Sequence, residues 1–239
     1  MAIPVDLLER GARQLGITLL PDQISRFELY ADLLVEWNRM FNLTRITEPE
    51  EMVTKHFLDS LTCLSAIDFS HNARVMDVGT GPGVPGIPLK IVRPDISLVL
   101  LDSVRKKLTF LDEVVRMLQL TDVKTVHARA EDVAHDPTHR ERYEVVTARA
   151  LGKLHQLAEL CLPLARTGGV VLAMKGPDVG EEVEESRRAI GLLGGKIEPV
   201  VELAIPETDI SRNIVVLKKH RPTPKRYPRS PAEIERSPL

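Results

Sequence analysis

Cysteine is nearly absent. Two occur in 239 residues, Cys63 and Cys161, far apart and with no CxxC partner. A disulfide framework and a structural zinc site of the usual spacing are excluded, and no metal is expected. Both thiols read as small buried hydrophobes in a reducing cytoplasm. Aromatic residues are scarce at 4%, so no stacking platform for single-stranded bases is advertised. No apolar run approaches the roughly 18 residues of a membrane span. Asp6, Glu9 and Arg10 interrupt the first apolar stretch, so no signal peptide and no membrane partner are expected. Hydrophobic residues at 43% with 34 acids against 32 bases describe a globular chain with a sizeable core.

Acid is missing from one long stretch. Between Ile210 and Ala232 there is no Asp or Glu, but there are seven bases: Arg212, Lys218, Lys219, Arg221, Lys225, Arg226 and Arg229. The rest of the chain is correspondingly acidic. A mostly acidic body with one basic strand and tail is able to hold a polyanion locally, although a charge run is more often a solvated face.

Three organisational blocks follow from hydrophobic period and turn residues: a helical extension over residues 1–70, an α/β domain over 71–220, and a basic, proline-rich tail over 221–239. In the first, Asp6 to Leu15 and Pro21 to about Met40 read as helices, the second broken by Asn42 and Thr44. Thr47 with Glu50 reads as a capping box for a third helix. It places Val53, Phe57, Leu61 and Leu64 on one face and Lys55, His56, Asp59 and Ser60 on the other. From Arg74 the pattern alternates. Strands are expected at Val75–Gly79, Ser97–Asp102, Val123–His127, Val145–Thr147 and Gly169–Met174, with helices between, and then at Lys196–Leu203 and Asn213–Lys218. Alternation implies a parallel sheet with right-handed crossovers. The last two strands leave no room for a helix and must pair antiparallel. The tail, with five prolines after His220, is expected to be extended, neither helix nor strand.

The strongest chemical signal is Asp77-Val78-Gly79-Thr80-Gly81-Pro82-Gly83-Val84-Pro85-Gly86. A strand that ends in glycines and opens a helix lets backbone approach a nucleotide cofactor, beyond the carboxyl ends of the strands. Gly81 to Gly86 also matches the dinucleotide fingerprint. Asp77 at the strand end would repel a pyrophosphate but tolerate a cofactor with an amino group and a sulfonium. Asp102 ends the second strand, where an acid accepts ribose hydroxyls or caps the next helix. After the third strand comes Arg129-Ala130-Glu131-Asp132, where one of the two acids is able to accept the exocyclic amine of an adenine ring while the other starts a turn, and an adjacent backbone N–H is able to donate to a ring nitrogen. Arg149 ends the fourth strand, where a cation meets a cofactor carboxylate or an RNA phosphate; Lys175 holds the same place on the fifth. Lys55, His56, Asp59 and Ser60 read either as a polar patch at the cleft mouth or as a hydrogen-bond set between helices.

These residues resemble the bacterial small-subunit ribosomal RNA guanine-N7 methyltransferases, the glucose-inhibited division protein B family. The resemblance rests on Trp37-Asn38 with Asn42-Leu43-Thr44, on Lys55-His56-Phe57-Leu58-Asp59-Ser60-Leu61, and on the glycine loop with its internal prolines through Leu89. It continues through Leu101-Asp102-Ser103, Arg129-Ala130-Glu131, Ala148-Arg149-Ala150, Lys175-Gly176 and Tyr227-Pro228-Arg229. It implies a Rossmann-like methyltransferase fold: a seven-stranded, mostly parallel sheet with a terminal antiparallel hairpin. It implies S-adenosyl-L-methionine as cofactor, with Gly79, Gly81, Val84, Asp102, Ala130, Glu131 and Arg149 as the candidate binding set. Its substrate would be 16S ribosomal RNA or the small ribosomal subunit, met in the cytoplasm; the oligomeric state is not readable from the sequence, and a monomer is the default expectation. The chain departs from the family's pattern after Arg229, where Glu233 and Glu235 dilute the basic tail. Guanine N7 carries a lone pair and no proton, so alignment alone suffices and no catalytic residue is assigned. The residues by themselves leave open a methyltransferase on a small molecule or protein, and an NAD-dependent oxidoreductase.

Overall fold

The computed structural model describes residues 2–239. Five helical segments come first: α1 (Val5–Gln14), α2 (Pro21–Phe41), α3 (Pro49–Met52), α4 (Asp59–Leu61) and α5 (Cys63–Ala66), with a π-helical stretch, Val53–Leu58, joining α3 to α4. The alternating part runs β1 (Arg74–Val78), α6 (Gly86–Val92), β2 (Ser97–Asp102), α7 (Arg105–Met117), β3 (Val123–His127), α8 (Ala130–Val133), β4 (Tyr143–Arg149), α9 (Leu154–Cys161), β5 (Ala165–Lys175) and α10 (Gly180–Leu192). Three strands and a helix close the chain: β6 (Gly195–Ile197), β7 (Val201–Ala204), β8 (Ser211–Lys219) and α11 (Pro231–Arg236).

The sheet order is β3-β2-β1-β4-β5-β8-β6, with β7 also on β8. The first five strands are mutually parallel, and β8 enters antiparallel beside β5, Leu172 facing Val216. The expected Lys196–Leu203 strand is two pieces. Ile197 pairs Leu217, and the register resumes at Val201 with Ile214. One extra residue is accommodated around Pro199, which has no N–H to give the ladder. The antiparallel end is therefore as expected, with a bulge in its outer strand.

Alternate residues of each strand feed two cores. Val75, Leu98, Leu100, Val145 and Leu172 face the N-terminal helices and α7. Met76, Val78, Val99, Leu101, Val146 and Val171 face α9, α10 and Tyr227. The N-terminal helices thus share a core with one face of the sheet. Phe27, Tyr30, Leu34 and Phe57 within them are wholly buried. Both cysteines are buried too, and burial pushes their thiols up.

Local chemistry explains the boundaries. Helix α2 starts on Pro21 and stops at Asn42, which takes a left-handed φ of 48° and returns its N–H to the Asn38 carbonyl. The expected Thr47–Glu50 box does not form. Pro49 sets the start of α3 with Glu48 before it, because its fixed φ suits the first helical position. Nor is the tail extended throughout as expected; it carries a helix. Pro231 opens α11, Ser230 donates its backbone N–H to Glu233 Oε2 at 3.1 Å, and its hydroxyl donates there as well. A proline that breaks a helix from inside can begin one, here with Ser230 as the N-cap and Glu233 closing the capping box. Among the described residues no helix is long and apolar enough to cross a membrane.

Candidate active site

Strand β1 ends at Val78, and the chain turns back over the sheet through Gly79 (φ 67°) and Gly81 (φ 60°), angles that cost other residues strain. Gly79 and Thr80 donate backbone N–H groups to the Leu101 carbonyl at 2.9 and 3.0 Å, tying the loop to β2. From the other side, Tyr30 of α2 donates its hydroxyl to the Pro82 carbonyl at 2.6 Å. A β-carbon at Gly81 would meet nothing nearer than the Gly79 oxygen at 4.0 Å. The loop is thus a held but open cradle.

Asp77 sits beneath that loop and not in the cleft. Its carboxylate is fully buried. It accepts Thr80 Oγ1 at 2.6 Å, the Gly86 N–H at 3.1 Å and Thr147 Oγ1 at 2.9 Å. Burial pushes its pKa above the ordinary carboxylate range, and those three donors work against that rise. The expectation that Asp77 discriminates among cofactors by facing them is corrected: it braces the loop to β4 and α6.

A cleft of about 280 Å³ opens at the carboxyl ends of β1, β2 and β3. Gly79, Asp102, Ala130 and Glu131 line it, together with Leu101, Ser103, Val104, Lys107, Leu151 and Leu160. Asp102 is 5% exposed. Its Oδ1 accepts the Val104 N–H at 2.9 Å, and its Oδ2 accepts the Gly81 N–H at 3.0 Å and Lys107 Nζ at 3.1 Å. It thus turns the chain into α7 and steadies the glycine loop. Among the described residues the Glu131 carboxylate has a single partner, Arg129, at 3.4 Å, and Ala130 begins α8, a short helix that the sequence pattern did not announce. Val84 is buried and Gly81 contributes its N–H, but neither is among the lining residues. The peptide between Val84 and Pro85 is cis.

Arg149 lines a second cavity of about 430 Å³, with Ile46, Lys55, Met174, Lys175, Gly176, Ile210 and Arg212. Ala150 belongs to both cavities. It holds a left-handed φ of 57°, a conformation that costs a non-glycine residue roughly 1–2 kcal/mol and that gathers at functional sites. Four cations therefore stand around the space next to the cleft. Lys175 donates to the Gly152 carbonyl and to Glu182, both at 2.8 Å.

The Lys55–Asp59 face anchors this second cavity to the sheet rather than to another helix. Arg149 donates to the Lys55 carbonyl at 2.8 Å and to Asp59 Oδ2 at 3.1 Å. Its other terminal nitrogen lies 3.2 Å from His56 Nδ1. His56 Nδ1 also lies 3.2 Å from the Lys55 carbonyl, and its Nε2 lies 3.0 Å from Thr44 Oγ1. Burial, and then the Arg149 charge, lower the His56 pKa to about 3; the ring is neutral. Asp59, wholly buried, also accepts Arg212 Nε at 2.7 Å. Sequence reading had Arg212 only as one charge in the basic run. No local signal joins it to Asp59.

The rRNA small subunit methyltransferase G family matches residues 23–215 of the chain. Over all 239 residues of both chains it is 46% identical to the ribosomal RNA small subunit methyltransferase G of Pelotomaculum thermopropionicum. It is 47% identical to that of Acetivibrio thermocellus, over 98% of this chain and 96% of the relative. Among solved structures, M. jannaschii TYW2 in complex with AdoMet matches at a TM-score of 0.57 and 14% identity, over 73% of this chain and 79% of that one. The precorrin-6y C5,15-methyltransferase of Geobacter metallireducens matches at a TM-score of 0.52 and 16% identity, over 73% and 91%. At such identities the likeness is one of fold.

Proposed function

The chain belongs to the rRNA small subunit methyltransferase G family, and from that premise we propose that it moves a methyl group from S-adenosylmethionine to N7 of a guanine in 16S ribosomal RNA. That it is a methyltransferase of small-subunit ribosomal RNA follows from the family; the donor is read from the site, and the base from the resemblance given above. The observation that carries the reading is the meeting of two cavities at Ala150, one lined by carboxylates and glycine backbone, the other ringed by cations.

The first cleft fits an adenosyl ligand. Asp102 Oδ1 has one donor and capacity for another, which suits ribose hydroxyls. Glu131 Oε2 meets no donor among the described residues, which suits an exocyclic amine. The Ala130 N–H heads α8 and has no acceptor within that helix, which suits a ring nitrogen. Gly79 and Gly81 give close backbone approach, and Val84 packs the loop behind them. Bound there, S-adenosylmethionine supplies an electrophilic methyl on a positively charged sulfur. Arg149, at the seam, is able to meet the carboxylate end of that ligand or a phosphate of the RNA.

The second cavity receives the RNA. Lys55, Arg149, Lys175 and Arg212 offer charge to phosphates and to the electron-rich edge of guanine. N7 carries no proton, so no residue need remove one. His56 is neutral with both ring nitrogens engaged, which fits a positioning duty. Both cysteines are buried, and no covalent nucleophile is called for. Rate enhancement then rests on holding the acceptor nitrogen in line.

The test is transfer of labelled methyl to undermodified 16S RNA and to 30S particles, followed by mapping of the base. Label on a guanine N7 is expected. Label on another atom, or on protein alone, would overturn the reading.

A further inference from the structure

The acid-free stretch is only partly a surface. Lys219 is buried, with Thr223 Oγ1 at 2.6 Å and Glu141 at 3.3 Å. Arg229 is largely covered. Its backbone N–H and Nε donate to Glu159 Oε1 at 2.9 and 2.8 Å, and a terminal nitrogen donates to Oε2 at 2.7 Å. Its remaining terminal nitrogen reaches the Ser237 carbonyl at 2.8 Å. Glu159 is 1% exposed. A carboxylate buried to that degree depends on its partner, because removing one member leaves a charge without compensation.

This segment crosses behind the cofactor cleft. Glu159 lies on α9, and the next residue, Leu160, lines the cleft. The Pro228 carbonyl lies 2.8 Å from His135 Nε2, just past α8, whose first residues Ala130 and Glu131 line the same cleft. Arg140 ties the two together, donating to the Ala134 carbonyl at 2.7 Å, to the Tyr227 carbonyl at 2.9 Å and to the Thr223 carbonyl at 2.9 Å. Tyr227 is buried in the core shared with Val133, Ala134 and Ala158. One covalent segment therefore fixes the spacing of two short helices that form one wall.

We infer that residues 223–239 are a strap that sets how tightly the cleft holds its adenosyl ligand, with Arg229 as the positioning residue. The inference rests on reading the cleft as the cofactor site. Arg229 does not touch the cleft; it acts through Glu159 and α9. If ligand binding and strap docking favour the same arrangement, each strengthens the other by the same factor. Three of the seven bases, Arg212, Lys219 and Arg229, thus serve inside the fold.

Calorimetry with S-adenosylhomocysteine tests this on the full chain. Arg229→Ala should weaken binding about tenfold, an ordinary size for coupling between sites. Arg229→Lys should fall between, since lysine cannot make the forked contact. Exposed Lys225 and Arg226, replaced together by Ala, should leave the affinity unchanged. Hydrogen exchange supplies a readout that needs no substitution. Saturating S-adenosylhomocysteine should slow exchange of the wild-type amides at Lys225, Arg226, Tyr227 and Arg229. Wild-type affinity in Arg229→Ala, or tail exchange indifferent to ligand in the wild-type protein, overturns the strap. Should Arg229→Ala not fold, the wild-type exchange decides alone. Failure of the wild-type protein to bind S-adenosylhomocysteine at all would instead sink the cofactor reading beneath it.

Discussion

Asp59 and Arg212 stand 153 residues apart in the chain and 2.7 Å apart in the fold. The same buried carboxylate takes a hydrogen bond from Arg149. One acid in an N-terminal helix therefore aims two guanidiniums, from β4 and β8, at the rim of the second cavity.

Asp59→Asn should separate the two cavities by experiment. An amide cannot compensate two cations, and breaking a buried charge pair costs about 3–5 kcal/mol. Urea unfolding should show a loss near the lower end, since the two arginines are partly solvated. KM for RNA should rise while the S-adenosylhomocysteine affinity stays, because Asp59 does not line the first cleft. A fall in cofactor affinity alone would contradict this division.

Asp102→Asn should do the reverse. It weakens charge-assisted bonds to Gly81 and Lys107 and to any ribose, each worth about 1.5–3 kcal/mol. Calorimetry should register a ten- to hundredfold weaker adenosyl ligand with RNA affinity retained. An unaltered ligand affinity would exclude Asp102 from the site.

His56 should make stability depend on acid. Its ring is neutral in the fold down to about 3, against an ordinary value of 6.5. The unfolded chain therefore binds the extra proton first. Its contribution is complete above pH 6.5 and declines as pH falls toward 3, by about 1.4 kcal/mol per pH unit at most. Between pH 6.5 and 5, above most carboxylates, His56→Asn should flatten the measured slope. A slope identical in the two proteins would refute the neutral ring.

Among the described residues Lys225 and Arg226 form no ion pair, and Arg226 covers the ring of Tyr227. If they meet phosphates, replacing both by Ala should reduce the slope of log K against log salt for single-stranded RNA by up to about 1.4. A constant slope would confine RNA contact to the cavity rim.

The parts of the site that were legible in sequence are local ones. A glycine loop after a strand, Asp102 at the next strand end, and Ala130-Glu131 after the third each sit within a few residues of the turn that positions them. The structure brings Gly79, Asp102, Ala130 and Glu131 to one cleft. Asp77 misled, because a strand-end residue can point into the sheet as well as out of it, and only the donors on Thr80, Gly86 and Thr147 decide which. The tail misled for a related reason. Proline content suggested an extended chain, whereas Pro231 opens a helix and Arg229 is drawn to an acid 70 residues earlier. Asp59 with Arg212, and Arg229 with Glu159, are pairings that only the fold creates.

The π-helical stretch before Asp59 has a consequence for length. Deleting any single residue between Val53 and Leu58 would let the backbone relax to regular α-helix. The extra residue of that wide turn would be lost and the face that carries Asp59 largely kept, whereas a deletion in the α-helical turns on either side would rotate everything beyond by about 100° around the axis and swing Asp59 away from both arginines. That short stretch should therefore tolerate the loss of one residue better than the α-helical turns that flank it, a frame that indel libraries across α3 and α4 would make visible.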